Sequence, residues 1–248
     1  RVNGFWHWAQ QQGYIERNYF DGLKVKEPKR AKDKRAAFTD ADLTKLFSTE
    51  QYQQHQYKHP HYYWVPLIGL HTGARLEEIC QLYLDDIKQV EGVWCFSIGN
   101  TKNDQKTKTD SSNRVTPIHS KLLELGLLDY IESLKQQGNE RLFPELKRQR
   151  DGYSTGVSKW FSRYRDKLEM KNLTPKKDFH SFRHTIATRM KQAGIPESIA
   201  GAVAGHTTGD GITYGRYGKN YLIRQVQKAV ESVDFANSLT AVNTYKER

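Results

Sequence analysis

The chain is 248 residues long, with 39 Lys and Arg against 28 Asp and Glu, a formal net charge of +11. That length suits one large domain, or one domain plus a fragment of another. The charge favours a polyanionic partner, nucleic acid before an anionic membrane surface, and no apolar run approaches a membrane span. The two cysteines, Cys80 and Cys95, sit in apolar settings, which argues against a disulfide framework and for a reducing, cytosolic compartment. No signal-peptide pattern is read, and the start on Arg1 rather than Met suggests an excised piece of a longer protein.

Residues 5–23 read as the end of something. Phe5, Trp6, Trp8 and Ala9 look helical, Gly13 breaks the pattern, and Tyr14, Ile15, Tyr19 and Phe20 have no core of their own. A basic, Pro-containing linker follows over 24–35, a solvated tether that could also track DNA phosphates. Thr39 with Asp42 makes an acidic capping box for a helix through Phe47. Residues 62–70 are apolar enough for a buried helix that stops at Gly73, and a second helix carries Leu76, Ile79 and Leu82. Strands over 87–89 and 93–98 flank a hairpin turn at Glu91-Gly92, and a polar loop over 100–112 leads to a third strand at 114–118. Ser120 is expected to cap a helix through about Lys135, and another helix covers 157–168. Phe179, Phe182, Ile186 and Met190 share a helical stripe ended by Gly194. Pro196 opens the next helix, which ends at Gly205; Gly209-Asp210-Gly211 forces a loop, and 222–233 is a final helix. The expected fold class is α+β, mainly α-helical with a small antiparallel β-sheet.

The chemistry concentrates in His180-Ser181-Phe182-Arg183-His184, in Gly205-His206, in the tyrosines at 214, 217 and 221, and far upstream in Thr72-Gly73-Ala74-Arg75-Leu76-Glu77-Glu78. Arginine forks match phosphate oxygens and stay charged. Histidine holds or moves protons near neutral pH, and a tyrosine hydroxyl can store a broken phosphodiester as a covalent ester. His180 and Arg183, three apart, are expected as neighbours on a helix surface. The plain alternative is a solvated polar face. It weakens because Arg75 and His206 also stand at helix junctions beside glycines, where the backbone can approach a ligand closely. His180 and His184 have the spacing of a zinc pair, but no third ligand is visible, so no metal is expected and His184 is read as packing or support.

On these residues the chain resembles the tyrosine recombinase (phage integrase) family, over about residues 36–233 and with the boxes in the right order. The first box is the one around Arg75; His180-Ser181-Phe182-Arg183 matches the His-x-x-Arg box, Ala204-Gly205-His206 the Gly-His element, and Thr213-Tyr214-Gly215-Arg216-Tyr217-Gly218 the tyrosine box. The stretch from Lys108 to Pro117 resembles the family's hairpin Lys-Thr-x-x-Ser-x-Arg-x-x-Pro. The resemblance implies the family's DNA-breaking-rejoining catalytic fold over 36–248, with 1–35 as the close of its core-DNA-binding domain plus linker. It implies Arg75, Arg183 and His206 on the phosphate, His180 assisting proton removal, and Glu78 orienting the clamp. Lys108 is the general acid, with Lys106 and Lys102 as rivals. Tyr217, eleven positions beyond His206, is the nucleophile of choice, with Tyr214, eight beyond, as the alternative. No cofactor is implied. The implied partners are double-stranded DNA attachment sites, copies of the chain assembled as a tetramer in which the helix over 222–233 reaches a neighbour, and accessory DNA-bending proteins. Two other readings stay open: DNA relaxation like that of a type IB topoisomerase, and an inactive DNA-binding remnant.

Overall fold

The computed structural model describes residues 2–23, 35–107, 112–170, 173, 175–205 and 221–246. The chain divides into two units, Arg1–Lys34 and Arg35–Arg248. In the first, α1 (Val2–Gln11) ends before Gly13, which takes a positive φ, and the chain folds back so that Phe20 meets Trp6 at 5.3 Å between ring centroids. Phe5, Trp8, Tyr14 and Tyr19 stay exposed. The linker over 24–34 and the loop around Gly209-Asp210-Gly211 lie outside the described residues.

The larger unit opens with α2 (Asp40–Phe47). Thr39 and Asp42 close the capping box read from the sequence, and Leu43, Leu46 and Phe47 turn inward. A short α3 (Glu50–Gln53), which periodicity does not announce, leads to α4 (Pro60–Thr72), the central helix. Nearly every residue from His61 to Thr72 is buried, as an all-round apolar helix demands. Pro66 sits inside α4 and has no N–H for the carbonyl of Tyr62. That carbonyl accepts instead from Gln51 Nε2 at 2.9 Å and from the Tyr52 hydroxyl at 3.3 Å, so α3 repairs the gap.

Gly73, at φ 62°, ends α4 in the left-handed conformation, and α5 (Leu76–Cys80) follows at once. Three antiparallel strands, β1 (Ile87–Val90), β2 (Val93–Ile98) and β3 (Arg114–Pro117), form a sheet in the order β1-β2-β3. The turn between β1 and β2 is Glu91-Gly92, both at positive φ, which matches the right-handed strand twist. The helix expected from Ser120 to Lys135 is two helices, α6 (Ser120–Glu124) and α7 (Leu127–Gln136). Gly126 breaks it at φ 89°, and the cap is His119, whose ring accepts from the backbone N–H of Lys121.

After α8 (Ser154–Lys167) come α9 (Ser181–Gln192), α10 (Glu197–Ala204), ended by left-handed Gly205, and α11 (Ile223–Glu231). α9 packs on α4 and α10, and α11 on α10 and β3. The apolar face of α11, Ile223, Val226, Ala229 and Val230, is thus used within its own chain. That face is therefore not free for the neighbouring copy expected above, and Leu222 beside the helix is 63% exposed. The last described residues return to the core, where Tyr245 packs against Tyr57, Tyr63, Trp64 and Tyr130. Cys80 and Cys95 are both buried and free. Among the described residues no helix is long and apolar enough to cross a membrane.

Candidate active site

Arg75 caps the N-terminus of α5, and Glu78 on the first turn of that helix reaches back to it. The backbone N–H of Arg75 donates to Glu78 Oε2 at 3.0 Å and its Nη1 to Oε1 at 2.5 Å. The same carboxylate accepts from Arg114 Nη2 on β3 at 3.0 Å. Burial alone would push the pKa of Glu78 up, but Arg114, the Arg75 N–H and the Arg75 guanidinium outweigh it, so the carboxyl lies below its ordinary range and is ionised. Ser112 supports both arginines, its hydroxyl accepting from Arg75 Nη1 at 3.0 Å and its carbonyl from Arg114 Nη1 at 2.9 Å. Arg114 Nε donates to the carbonyl of Val203 on α10. Arg114 therefore ties the hairpin strand to α5 and to α10.

Arg183 projects from α9 into the same region and is 3% exposed, so its expected place on the helix surface is corrected. The reason is its partners. Nη1 donates to Gly73 O at 3.0 Å and Nη2 to Gly205 O at 3.1 Å. Both carbonyls stand at helix C-termini, where the helix dipole is negative and favours a cation. Both glycines adopt positive φ, and a Cβ at Gly205 would fall 2.6 Å from Arg114 Nη1. The guanidinium of Arg183 is drawn down to about 10 by burial first and by Arg75 and Arg114 next, and it stays charged at neutral pH. Arg75 and Arg114 thus share the Glu78 carboxylate, Arg183 feels the charges of all three through space, and Arg75 is open to 24% side-chain exposure. An excess of fixed positive charge, three guanidiniums around one carboxylate, suits a phosphate-like anion.

His180 is the N-cap of α9, one turn before Arg183. Its backbone N–H donates to Asp178 Oδ1, and its ring meets that of His184 edge-on at 5.2 Å. Burial, then His184, Arg183 and Arg35, hold its imidazole down to about 4, so it is neutral at pH 7 and can accept a proton. His184 is depressed too, by burial and Arg35.

The structure thus brings together Arg75, Glu78, His180, Arg183 and His184. Lys108, His206, Tyr214 and Tyr217 lie outside the described residues. Of the rival lysines, Lys102 is engaged elsewhere, with Nζ 2.7 Å from Asp85 and over the ring of Tyr83. Lys106 is fixed through its backbone: its N–H donates to Gln81 Oε1 at 2.8 Å and its carbonyl accepts from Gln81 Nε2 at 3.1 Å. Asp104 adds a second anchor, accepting from Tyr83, Tyr153 and Arg141, while Arg141 lies between the two tyrosine rings at 4.2 and 4.1 Å. These bonds hold the run that leads to Lys108. The hairpin resemblance places Ser112 and Arg114 at its Ser and Arg positions but assigns neither a role. The signal for those roles lies in alternation: Arg114 and Thr116 share one face of β3, turned inward, and Ser112 stands two residues before Arg114.

Residues 37–221 match the profile of the phage integrase family. The chain is 26% identical over 194 residues to the tyrosine recombinase XerA of Pyrococcus horikoshii, covering 75% of this chain and 60% of that protein. It is 25% identical over 263 residues to a XerC-like tyrosine recombinase of Caldanaerobacter subterraneus, covering 93% of this chain and 63% of that one. The chain thus spans less than two thirds of the length of both relatives. A λ integrase (75–356) dimer bound to a COC′ core site superimposes with a TM-score of 0.57 at 20% identity, over 88% of this chain and 71% of that one, which shows a shared fold. With its profile match covering most of its length, the chain belongs to the phage integrase family.

Proposed function

We propose that this chain is the catalytic part of a site-specific DNA recombinase. It cleaves and rejoins double-stranded DNA at attachment sites through a 3′-phosphotyrosine, and so integrates or excises a phage or other mobile element. The observation that carries this reading is the cluster in which Arg75 and Arg114 are bonded to Glu78 and Arg183 lies within electrostatic reach of all three. Family membership and the core-site DNA in the λ integrase structure support DNA as substrate, and the dimer in that structure supports self-association on DNA.

In this reading the phosphodiester enters with its non-bridging oxygens on Arg75, Arg183 and His206. The Tyr217 phenol, of ordinary pKa about 10, gives up its proton as its oxygen bonds to phosphorus. His180, neutral at pH 7, takes that proton or turns the phosphate toward attack. The guanidiniums meet the charge that gathers on the pentavalent phosphorus, where fixed charge contributes most. The bond from phosphorus to the 5′-oxygen breaks, and Lys108 protonates the leaving oxygen. The 3′-phosphotyrosine keeps the bond energy, so the hydroxyl of a second DNA reverses the step and joins new partners. Glu78 acts on Arg75 and never on the phosphate. The unit 1–34 is read as part of the core-DNA-binding domain, and its exposed rings at Phe5, Trp8, Tyr14 and Tyr19 suit a surface that more chain would cover. The working complex is a tetramer, acting in the cytoplasm with accessory DNA-bending proteins.

Strand transfer tests the reading. The chain is incubated with a pool of randomised duplexes and, separately, with a supercoiled plasmid. Selected duplexes that exchange strands support a recombinase. Relaxation of the plasmid with no exchange supports a topoisomerase-like activity instead, and the absence of both reactions contradicts the reading.

A further inference from the structure

At His180, one helical turn before Arg183, lies a cleft of about 260 Å³. Its lining includes Arg35, Ser158, Ser162, Arg165, Lys176 and His180. Arg35 and Lys176 are brought to one rim by an isolated parallel bridge, with the N–H of Ala36 donating to Lys176 O at 3.1 Å. Both cations lean on Asp178, Arg35 Nε at 2.9 Å and Lys176 Nζ at 3.6 Å from the same oxygen. Three cations therefore line this cleft against one carboxylate.

The uncommon member is Arg165, at the end of α8. The residue is 4% exposed. Its Nη1 donates to the carbonyl of Lys177, and its guanidinium lies 5.6 Å from the centre of the Phe161 ring. Among the described residues its Nε has no hydrogen-bond partner and the guanidinium makes no ion pair. Burial draws its proton affinity down, offset in part by Asp178 and Asp166 at longer range. A buried cation without a contacting carboxylate costs stability, and an anion arriving from outside removes that cost.

We propose that this cleft is a second phosphate site, which takes a backbone phosphodiester of the bound DNA next to the one held by Arg75 and Arg183. The inference rests on the reading of the chain as a DNA-cleaving enzyme. His180 belongs to both places: it lines the cleft and stands one helical turn before Arg183. In the proposal, a strand with one phosphate on Arg75 and Arg183 continues past His180, so that another of its phosphates meets the cleft. The serines offer hydroxyl donors on the α8 side, Arg35 and Lys176 close the opposite rim, and Arg165 supplies charge from beneath. The contact positions the strand without reading its bases.

Salt-dependent binding of a fluorescent duplex about three helical turns long, followed by anisotropy on the full chain, tests the assignment. Removing a single cation–phosphate interaction lowers the slope of log affinity against log salt by about one. Arg165→Gln is expected to lower it by about that amount, with a melting temperature equal to or above wild type, because an unpaired buried charge has been removed. Lys176→Ala, at a side chain 62% exposed and so no threat to folding, is expected to lower it too. A folded Arg165→Gln chain that keeps the wild-type slope overturns the inference and leaves the recombinase reading standing. If Arg165→Gln does not fold, an unchanged slope in Lys176→Ala overturns it in the same way. A wild-type chain that binds no duplex removes both.

Discussion

The carboxylate of Glu78 lies 3.0 Å from Nη2 of Arg114, and both side chains are nearly closed to solvent, at 2% and 6% exposure. The pair joins the first arginine box to the hairpin strand. Breaking one side of such a pair leaves a buried charge uncompensated, which costs about 3–5 kcal/mol. Glu78→Gln and Arg114→Met are each expected to lose stability on that scale in urea unfolding. The double variant is expected to lose less than the sum of the two, since Arg114 and Glu78 no longer strand each other and only Arg75 is left without its carboxylate. Strict additivity would mean that the two groups do not act together.

A second expectation concerns the glycine that closes α10. Gly205 is left-handed at φ 68°, and its missing Cβ leaves room for the guanidinium of Arg114. Gly205→Ala carries a conformational cost of about 1–2 kcal/mol. It also presses on Arg114, which Glu78, Ser112 and Val203 hold in place. The variant is expected to fold with a lower melting temperature and to cleave DNA far more slowly, because its carbonyl is also a ligand of Arg183. Wild-type cleavage by Gly205→Ala would contradict the close packing.

Acid should weaken the fold over a defined range. His180 is held down to about 4 and His71, fully buried, to about 3, against an ordinary value of 6.5. In both cases burial is the main cause, with neighbouring histidine rings next. The unfolded chain therefore takes up these protons first. Stability is fully present above the ordinary histidine value and is lost as the pH falls toward the folded values. Glu78, depressed in the folded state, adds a loss lower down, as the pH drops below the ordinary carboxylate range through its folded value. Urea midpoints measured down a pH series should fall in this order, and the ring protons of His180 should titrate in NMR near 4. A midpoint for His180 near its ordinary value would contradict its described surroundings.

Much of this was legible in the sequence, for identifiable reasons. The capping box at Thr39, the Glu91-Gly92 turn and the glycine stops at 73, 194 and 205 are local chemistry, and each stands where the residues placed it. The split at Gly126 was hidden because a continuous apolar pattern masks one positive φ. The burial of Arg183 was hidden because its partners are carbonyls of distant glycines, which no side-chain pattern records. The hairpin pattern contains Arg114, but its role was hidden for a related reason. An arginine on a short strand reads as solvated until the carboxylate that meets it, thirty-six positions earlier, is brought alongside.

Arg183 separates binding from chemistry. Arg183→Ala removes a cation aimed at one phosphate, while many of the 39 Lys and Arg remain to hold duplex without regard to sequence. Cleavage is expected to be lost and non-specific affinity to fall by less than about tenfold, read by gel shift beside a cleavage assay on the same duplexes. Near wild-type cleavage by this variant would count against the clamp.

The most direct test of the central claim is covalent trapping. A pool of duplexes nicked near the scissile position is incubated with the chain, denatured, and digested, and the DNA-linked peptide is sequenced by mass spectrometry. The account predicts one linked residue, Tyr217, with no trapping by Tyr217→Phe or Arg183→Ala. Trapping that survives Tyr217→Phe and vanishes in Tyr214→Phe would move the nucleophile. A chain that forms no covalent link with any DNA, or one that links as well without Arg75 and Arg183, would contradict the account.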